Sequence, residues 1–94
     1  MREIVIKMPE IFSVEEAAHF RETVREHLNS SPDAVSFLLD FSECSFIDST
    51  GLGVIVSSYK KSVEGGGGIK LKSLNANVRK VFELTRLTNV FEML

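Results

Sequence analysis

Short apolar runs of strand length alternate along this chain with segments whose apolar residues recur every three or four positions. Glu3 to Met8 (E-I-V-I-K-M) reads as a strand, and Pro9, which lacks an N–H for a ladder, ends it. Ser13-Val14-Glu15-Glu16 has the form of a capping box, so a helix is predicted to follow with Ala17, Phe20, Val24 and Leu28 on one buried face. The cluster Asn29 to Asp33 stops it. Ala34 to Phe41 (A-V-S-F-L-L-D-F) is nearly continuous in apolar residues, as a central strand covered on both faces would be. From Thr50 onward, Leu52, Ile55, Val56, Tyr59 and Val63 predict a second amphipathic helix. Gly65 to Gly68 reads as a loose, flexible stop, and Ile69 to Lys72 alternates as a third strand. Asn75 can cap a third helix that carries Val78, Val81, Phe82 and Thr85 inward, and Asn89 to Leu94 reads as a short fourth strand. One strand is thus expected before the first helix. The alternation predicts an α/β sandwich with a largely parallel sheet.

Bulk properties narrow the function more than the fold. The chain has 94 residues, enough for a single domain spanning 1–94, and 44% of them are hydrophobic. Eleven basic and 13 acidic residues, net −2, are spread along it, so no basic stripe supports nucleic-acid or membrane-surface binding. Cys44, the lone cysteine, cannot form an internal disulfide, which fits a reducing cytosol. The first residues lack the apolar run of a signal peptide and no window approaches a membrane span. A soluble, cytoplasmic protein is expected, with no membrane insertion.

The most unusual stretch is Phe46-Ile47-Asp48-Ser49-Thr50-Gly51-Leu52-Gly53, at the carboxyl side of the central strand and the start of the second helix. Sites in open α/β sheets are built at this edge. A hydroxyl here sits beside free backbone N–H groups and the positive end of a helix dipole, where a phosphate is tolerated. Two glycines keep the surface low, so another protein's backbone can approach closely. A purely structural explanation competes on equal terms: Asp48 or Ser49 caps the helix and the glycines serve packing.

Asp48-Ser49-Thr50-Gly51-Leu52-Gly53-Val54, followed by Tyr59-Lys60 and the glycine turn, resembles the signature of the STAS-domain anti-sigma factor antagonists. The resemblance continues through Ile69-Lys70-Leu71 and Val78 to Thr85, and covers Ala34 to about Val90. It implies a STAS-like α/β sandwich: a mostly parallel or mixed sheet of about four strands with three helices, shortened at both ends. The function it implies is partner switching. The unphosphorylated protein would bind a serine-kinase anti-sigma factor and so free a sigma factor for transcription. Phosphorylation of Ser49 would end the complex, and a metal-dependent serine/threonine phosphatase would reset it. The partner surface implied comprises Ser13, Asp48, Ser49, Thr50, Gly51, Leu52 and Gly53. Four features depart from the family pattern: one strand precedes the first helix where two are usual, Ser13 stands where an aspartate is usual, Arg86 replaces a glycine after the third helix, and the chain stops at Leu94 without a last helix.

Other readings carry less. The same residues would suit a STAS subunit of a lipid-transport complex or of a signalling relay outside transcription, since fold does not fix function. Catalysis is not expected. Asp48 to Gly51 has one residue too many for the D-[ST]-G of aspartic proteases, and Ser49 lacks both a G-x-S-x-G elbow and a base in reach. His19 and His27 lie eight apart on the first helix, placed to be surface or groove-lining. The glycine run lacks the G-K-[ST] that grips a nucleotide phosphate. Cys44 reads as a small core side chain, and no Cys/His cluster suggests a metal, so no cofactor is expected.

Overall fold

A computed structural model describes residues 2–94. Its elements are β1 (Arg2–Lys7), β2 (Ile11–Phe12), α1 (Val14–Ser30), β3 (Val35–Asp40), β4 (Phe46–Ile47), α2 (Ser49–Glu64), β5 (Gly68–Lys72), α3 (Ala76–Leu84) and β6 (Glu92–Met93), with a 3₁₀ turn at Leu87–Asn89. Four strands form one sheet in the order β1-β3-β5-β6, every neighbouring pair parallel. Each crossover steps in the same direction along the sheet. Right-handed crossovers then place all the helices on one face.

Burial follows this layering. The cross-strand row Ile4, Phe37, Ile69 and the row Ile6, Leu39, Leu71, Met93 face the helices and are buried or half-buried. The intervening row, Val5, Leu38, Lys70 and Glu92, lies on the opposite face, with Val5, Lys70 and Glu92 exposed. The continuous apolar run of β3 is therefore a central strand with one covered face, not two. Phe12, Phe37, Phe41 and Phe82 are fully buried, each contributing about 1.5–3 kcal/mol by leaving water. Edge-to-face contacts Phe41–Phe82 (6.0 Å), Phe82–Phe91 (5.9 Å) and Phe91–Tyr59 (5.1 Å) tie α3 and the tail to β3 and α2.

Several local expectations change. A second strand, β2, precedes α1; it is only two residues long and pairs with β4, which the sequence pattern does not reveal. Ser13 is the N-cap of α1, yet its side chain makes no cap hydrogen bond, so no capping box forms; its carbonyl accepts from Ala17 N–H at 2.7 Å. On α2 the buried face runs through Gly51, Val54, Ile55, Ser58 and Ser62, while Val63 is exposed and Val56 and Tyr59 are half-buried. Two buried serines hide that stripe from a hydrophobicity pattern. Ser62 is accommodated because its hydroxyl donates to Val35 O at 2.8 Å.

The glycine turn is not loose. Gly65, Gly66 and Gly67 N–H groups bond back to Lys61, Val63 and Ser62 carbonyls, and a β-carbon on Gly67 would overlap the Val35 carbonyl. Thr85 lies outside the core; its hydroxyl donates to Val81 O at 2.8 Å at the end of α3. Asn75 caps α3 as expected, accepting from Val78 N–H at 2.9 Å, and also donates to Cys44 O at 2.9 Å.

Candidate functional site

The two-residue ladder β2–β4 builds the site. Ile11 pairs with Phe46 and Phe12 with Ile47, so the residues that follow, Ser13 and Asp48, begin α1 and α2 side by side. Ser45 N–H to Glu10 O (2.8 Å) and Asp48 N–H to Phe12 O (3.4 Å) extend the ladder at both ends. A short segment of each chain half thus fixes the relative height of two helix N-termini.

Asp48 is the N-cap of α2. Its carboxylate Oδ1 accepts from Gly51 N–H at 2.9 Å and its carbonyl accepts from Leu52 N–H at 3.0 Å. This holds the carboxylate over the helix axis, back from the first helical residue. Ser49 is that residue, and it is exposed, as are Thr50 and Gly53. The first N–H groups of a helix have no intrahelical acceptor, so Ser49 stands where the backbone presents positive charge. The first turn of α2, Ser49-Thr50-Gly51-Leu52, carries no basic side chain, and the Asp48 carboxylate caps it.

The residues singled out by sequence divide in two. Ser13, Asp48, Ser49, Thr50 and Gly53 lie at the surface or partly so, with Leu52 half-buried against the core. Gly51 is buried, and a β-carbon there would stand 2.5 Å from Phe12 O and 2.6 Å from its ring. Gly51 therefore serves the close approach of α2 to β2, whereas a β-carbon on Gly53 would meet nothing within 4 Å. Asp48 caps and Gly51 packs, as the structural explanation holds; Ser49 and Gly53 have no such role.

Three residues at this end were not foreseen. Ile11 and Phe46, a cross-strand pair, are each 52% exposed, and Val14 at the start of α1 is 63% exposed. They form an apolar rim beside Ser13 and Asp48. The signal was present in the alternation Ile11-Phe12 and Phe46-Ile47, where one of each pair must face water, but segments so short are invisible to a periodicity search. Cys44, just before β4, is buried, and burial pushes its thiol pKa up. His19 is exposed and His27 rests its ring 6.1 Å from that of Phe37. Among the described residues no group of His, Cys, Asp and Glu could hold a metal, and no helix is long and apolar enough to cross a membrane.

This fold and helix entry belong to a known class: the STAS domain family model matches residues 2–94, and the chain is a member of that family. Among its relatives, the anti-sigma-B factor antagonist of Bacillus subtilis (strain 168) is 35% identical over 51 residues, 54% of this chain and 47% of that protein. That match spans about half the length of the Bacillus protein. A Thermotoga maritima protein assigned as an anti-sigma factor antagonist is 34% identical over 93 residues, covering 97% of this chain and 80% of its own. The Thermotoga maritima crystal structure TM1081 superposes with a TM-score of 0.83 at 31% identity, over 97% of this chain and 77% of that one. The unphosphorylated form of the anti-sigma factor antagonist SpoIIAA has the same fold, with TM-score 0.83, 20% identity, and coverage of 99% and 80%. The chain is a STAS-domain protein, similar over nearly its whole length to a relative assigned as an anti-sigma factor antagonist.

Proposed function

We propose that this protein is a phosphorylation-controlled binder that sequesters a serine-kinase anti-sigma factor while Ser49 is unmodified. The observation that carries the reading is the exposure of Ser49 as the first residue of α2, with Asp48 capping the helix behind it. A hydroxyl held there is open to a kinase. The surrounding surface of Ser13, Thr50, Leu52 and Gly53, rimmed by Ile11, Val14 and Phe46, offers an apolar and low platform for docking.

A phosphate on Ser49 adds about −1.5 to −2 charges beside the Asp48 carboxylate. The helix dipole offsets part of this in the free protein. At an interface the same charge must be desolvated or matched by basic groups, so the modification favours the free state. A coupling of about 3 kcal/mol shifts the binding equilibrium by roughly a hundredfold, enough for a switch. A metal-dependent serine/threonine phosphatase would return Ser49 to its binding form. The protein acts in the cytoplasm as substrate and binder, with no chemistry of its own; Gly51 contributes by holding α2 down on β2 and not by touching the partner.

Phosphopeptide mapping after incubation with ATP and the anti-sigma kinase encoded nearest to this protein tests the reading. Phosphate is expected on Ser49. Phosphate mainly on Thr50, Ser45 or Ser42 would overturn it.

A further inference from the structure

The free edge of β1 is a separate surface with an internal symmetry. β1 ends the sheet and pairs only with β3. Arg2 N–H donates to Ala34 O at 3.0 Å and Met8 N–H to Asp40 O at 2.8 Å. Main-chain polar groups alternate in direction along a strand, so those of Arg2, Ile4, Ile6 and Met8 point into the sheet. Those of Glu3, Val5 and Lys7 point outward at the open edge. The side chains of Glu3, Val5 and Lys7 also share the face away from the helices, and Val5 is 59% exposed.

Among the described residues of β1, these three offer their main-chain groups to an added antiparallel strand. For a second β1 related by a two-fold axis, the register centred on Val5 pairs all three with one another. It sets Val5 against Val5, Glu3 of one copy opposite Lys7 of the other, and Lys7 opposite Glu3. Registers displaced by two residues pair only two of the three. On the helix side the same register sets half-buried Ile4 beside half-buried Ile6. Hydrogen-bond direction admits this register, and the opposite charges of Glu3 and Lys7 favour it over the displaced ones.

We propose that β1 is a homodimerisation edge, on which two copies pair antiparallel about Val5 and join their four-stranded sheets into one. Edge strands usually carry charge to repel neighbours. A guard of one sign would do so here, but Glu3 and Lys7 stand symmetrically about Val5 and attract across the two-fold. Lys7 already pairs with Glu43 in the single chain, so its ammonium lies between two carboxylates in the dimer. Ser49 lies on α2, which packs on α1 and β5, so the dimer edge and the modified serine are distinct surfaces. One strand pair buries less area than a permanent dimer requires, so the association is weak and concentration-dependent.

Sedimentation equilibrium over a concentration series reads the state directly. The unmodified sequence is expected to move from one-chain to two-chain mass as concentration rises. Val5→Pro removes an outward N–H that the β1–β3 ladder does not use, so it should stay monomeric while keeping its circular dichroism. Glu3→Lys and Lys7→Glu each place like charges opposite and should each stay monomeric alone. Mixed together they present only opposite charges, and a heterodimer should form. A sequence that stays monomeric throughout, a Val5→Pro variant that dimerises unchanged, or a mixture that fails to associate would overturn the proposal.

Discussion

Gly51 sits against Phe12 so closely that a β-carbon on it would stand 2.5 Å from the Phe12 carbonyl oxygen and 2.6 Å from the ring. Phe12 is fully buried and its carbonyl accepts the Asp48 N–H, so neither obstacle can move without loosening the ladder that sets both helix entries. Gly53, two residues on, has open space.

The two glycines should therefore respond oppositely to alanine. Gly51→Ala is expected to destabilise the fold by about 1–3 kcal/mol through overpacking. Gly53→Ala should be neutral or stabilising by up to about 1 kcal/mol, since alanine is the better helix former. Thermal melts on both variants check this. A pull-down on Gly53→Ala adds the functional half, because partner binding lost without loss of stability places Gly53 at the interface.

Arg86, which stands where the sequence resemblance expects a glycine, yields a second prediction. It follows α3 in the left-handed region, with φ 60° and ψ 24°. Glycine adopts this conformation without the β-carbon penalty. Arg86→Gly should stabilise the protein by about 1 kcal/mol, measured as a raised urea midpoint at unchanged slope. A lowered midpoint would show that the arginine side chain contributes more than the strain it carries.

Much of this molecule was readable from residue order, and the failures share a cause. The long elements β1, α1, β3, α2, β5 and α3 announce themselves through repeated apolar spacing, a terminator such as Pro9 or a helix cap such as Asn75. The motif around Ser49 was legible because a glycine-rich helix entry is chemically unusual. The β2–β4 ladder was not, since two-residue strands are defined by their partner 35 positions away and not by local pattern. Ser58 and Ser62 misled the reading of α2 because buried serines count as polar in any one-dimensional pattern, though the Ser62 hydroxyl is satisfied by the Val35 carbonyl. The split between Gly51 and Gly53 is likewise tertiary. Only the position of Phe12 decides it.

Cys44 is buried, and the resulting desolvation disfavours its thiolate. Native protein should react with iodoacetamide far more slowly than protein in denaturant, and the native rate should rise only above the usual thiol range. The raised native pKa means the folded state holds this proton more tightly than the unfolded chain. Its contribution to stability is full below the unfolded-state pKa and is lost as pH rises through the folded one. Rapid labelling of native protein at neutral pH would contradict this placement.

Substitutions at Ser49 should be asymmetric. Ser49→Ala removes an exposed hydroxyl and leaves the Asp48 cap intact, so stability should persist and, on the proposed function, so should binding of the anti-sigma partner. Ser49→Asp adds a charge beside Asp48 and should weaken binding at least tenfold, though one charge imitates phosphate incompletely. Titration calorimetry with the anti-sigma kinase separates the two, and equal affinities would put Ser49 outside the interface.

Phe46 offers the sharpest test of where the partner docks. It is 52% exposed, pairs with Ile11 across the ladder, and lies two residues before the Asp48 cap. A large aromatic left half in water at a strand end contributes little to folding, and its neighbour Ile47 supplies the buried anchor of β4. Aromatic residues of this kind are frequent hot spots in protein interfaces, where truncation costs about 2 kcal/mol or more. Phe46→Ala should therefore lower melting temperature by only a few degrees, consistent with a change near 0.5 kcal/mol, while reducing anti-sigma affinity by roughly thirtyfold. Ile47→Ala should do the opposite, with a loss of about 2–5 kcal/mol in stability because it empties a core position. If Phe46→Ala binds as tightly as the unmodified sequence, the apolar rim is not part of the docking surface, and the interface must lie further along α2 toward Gly53 and Val56.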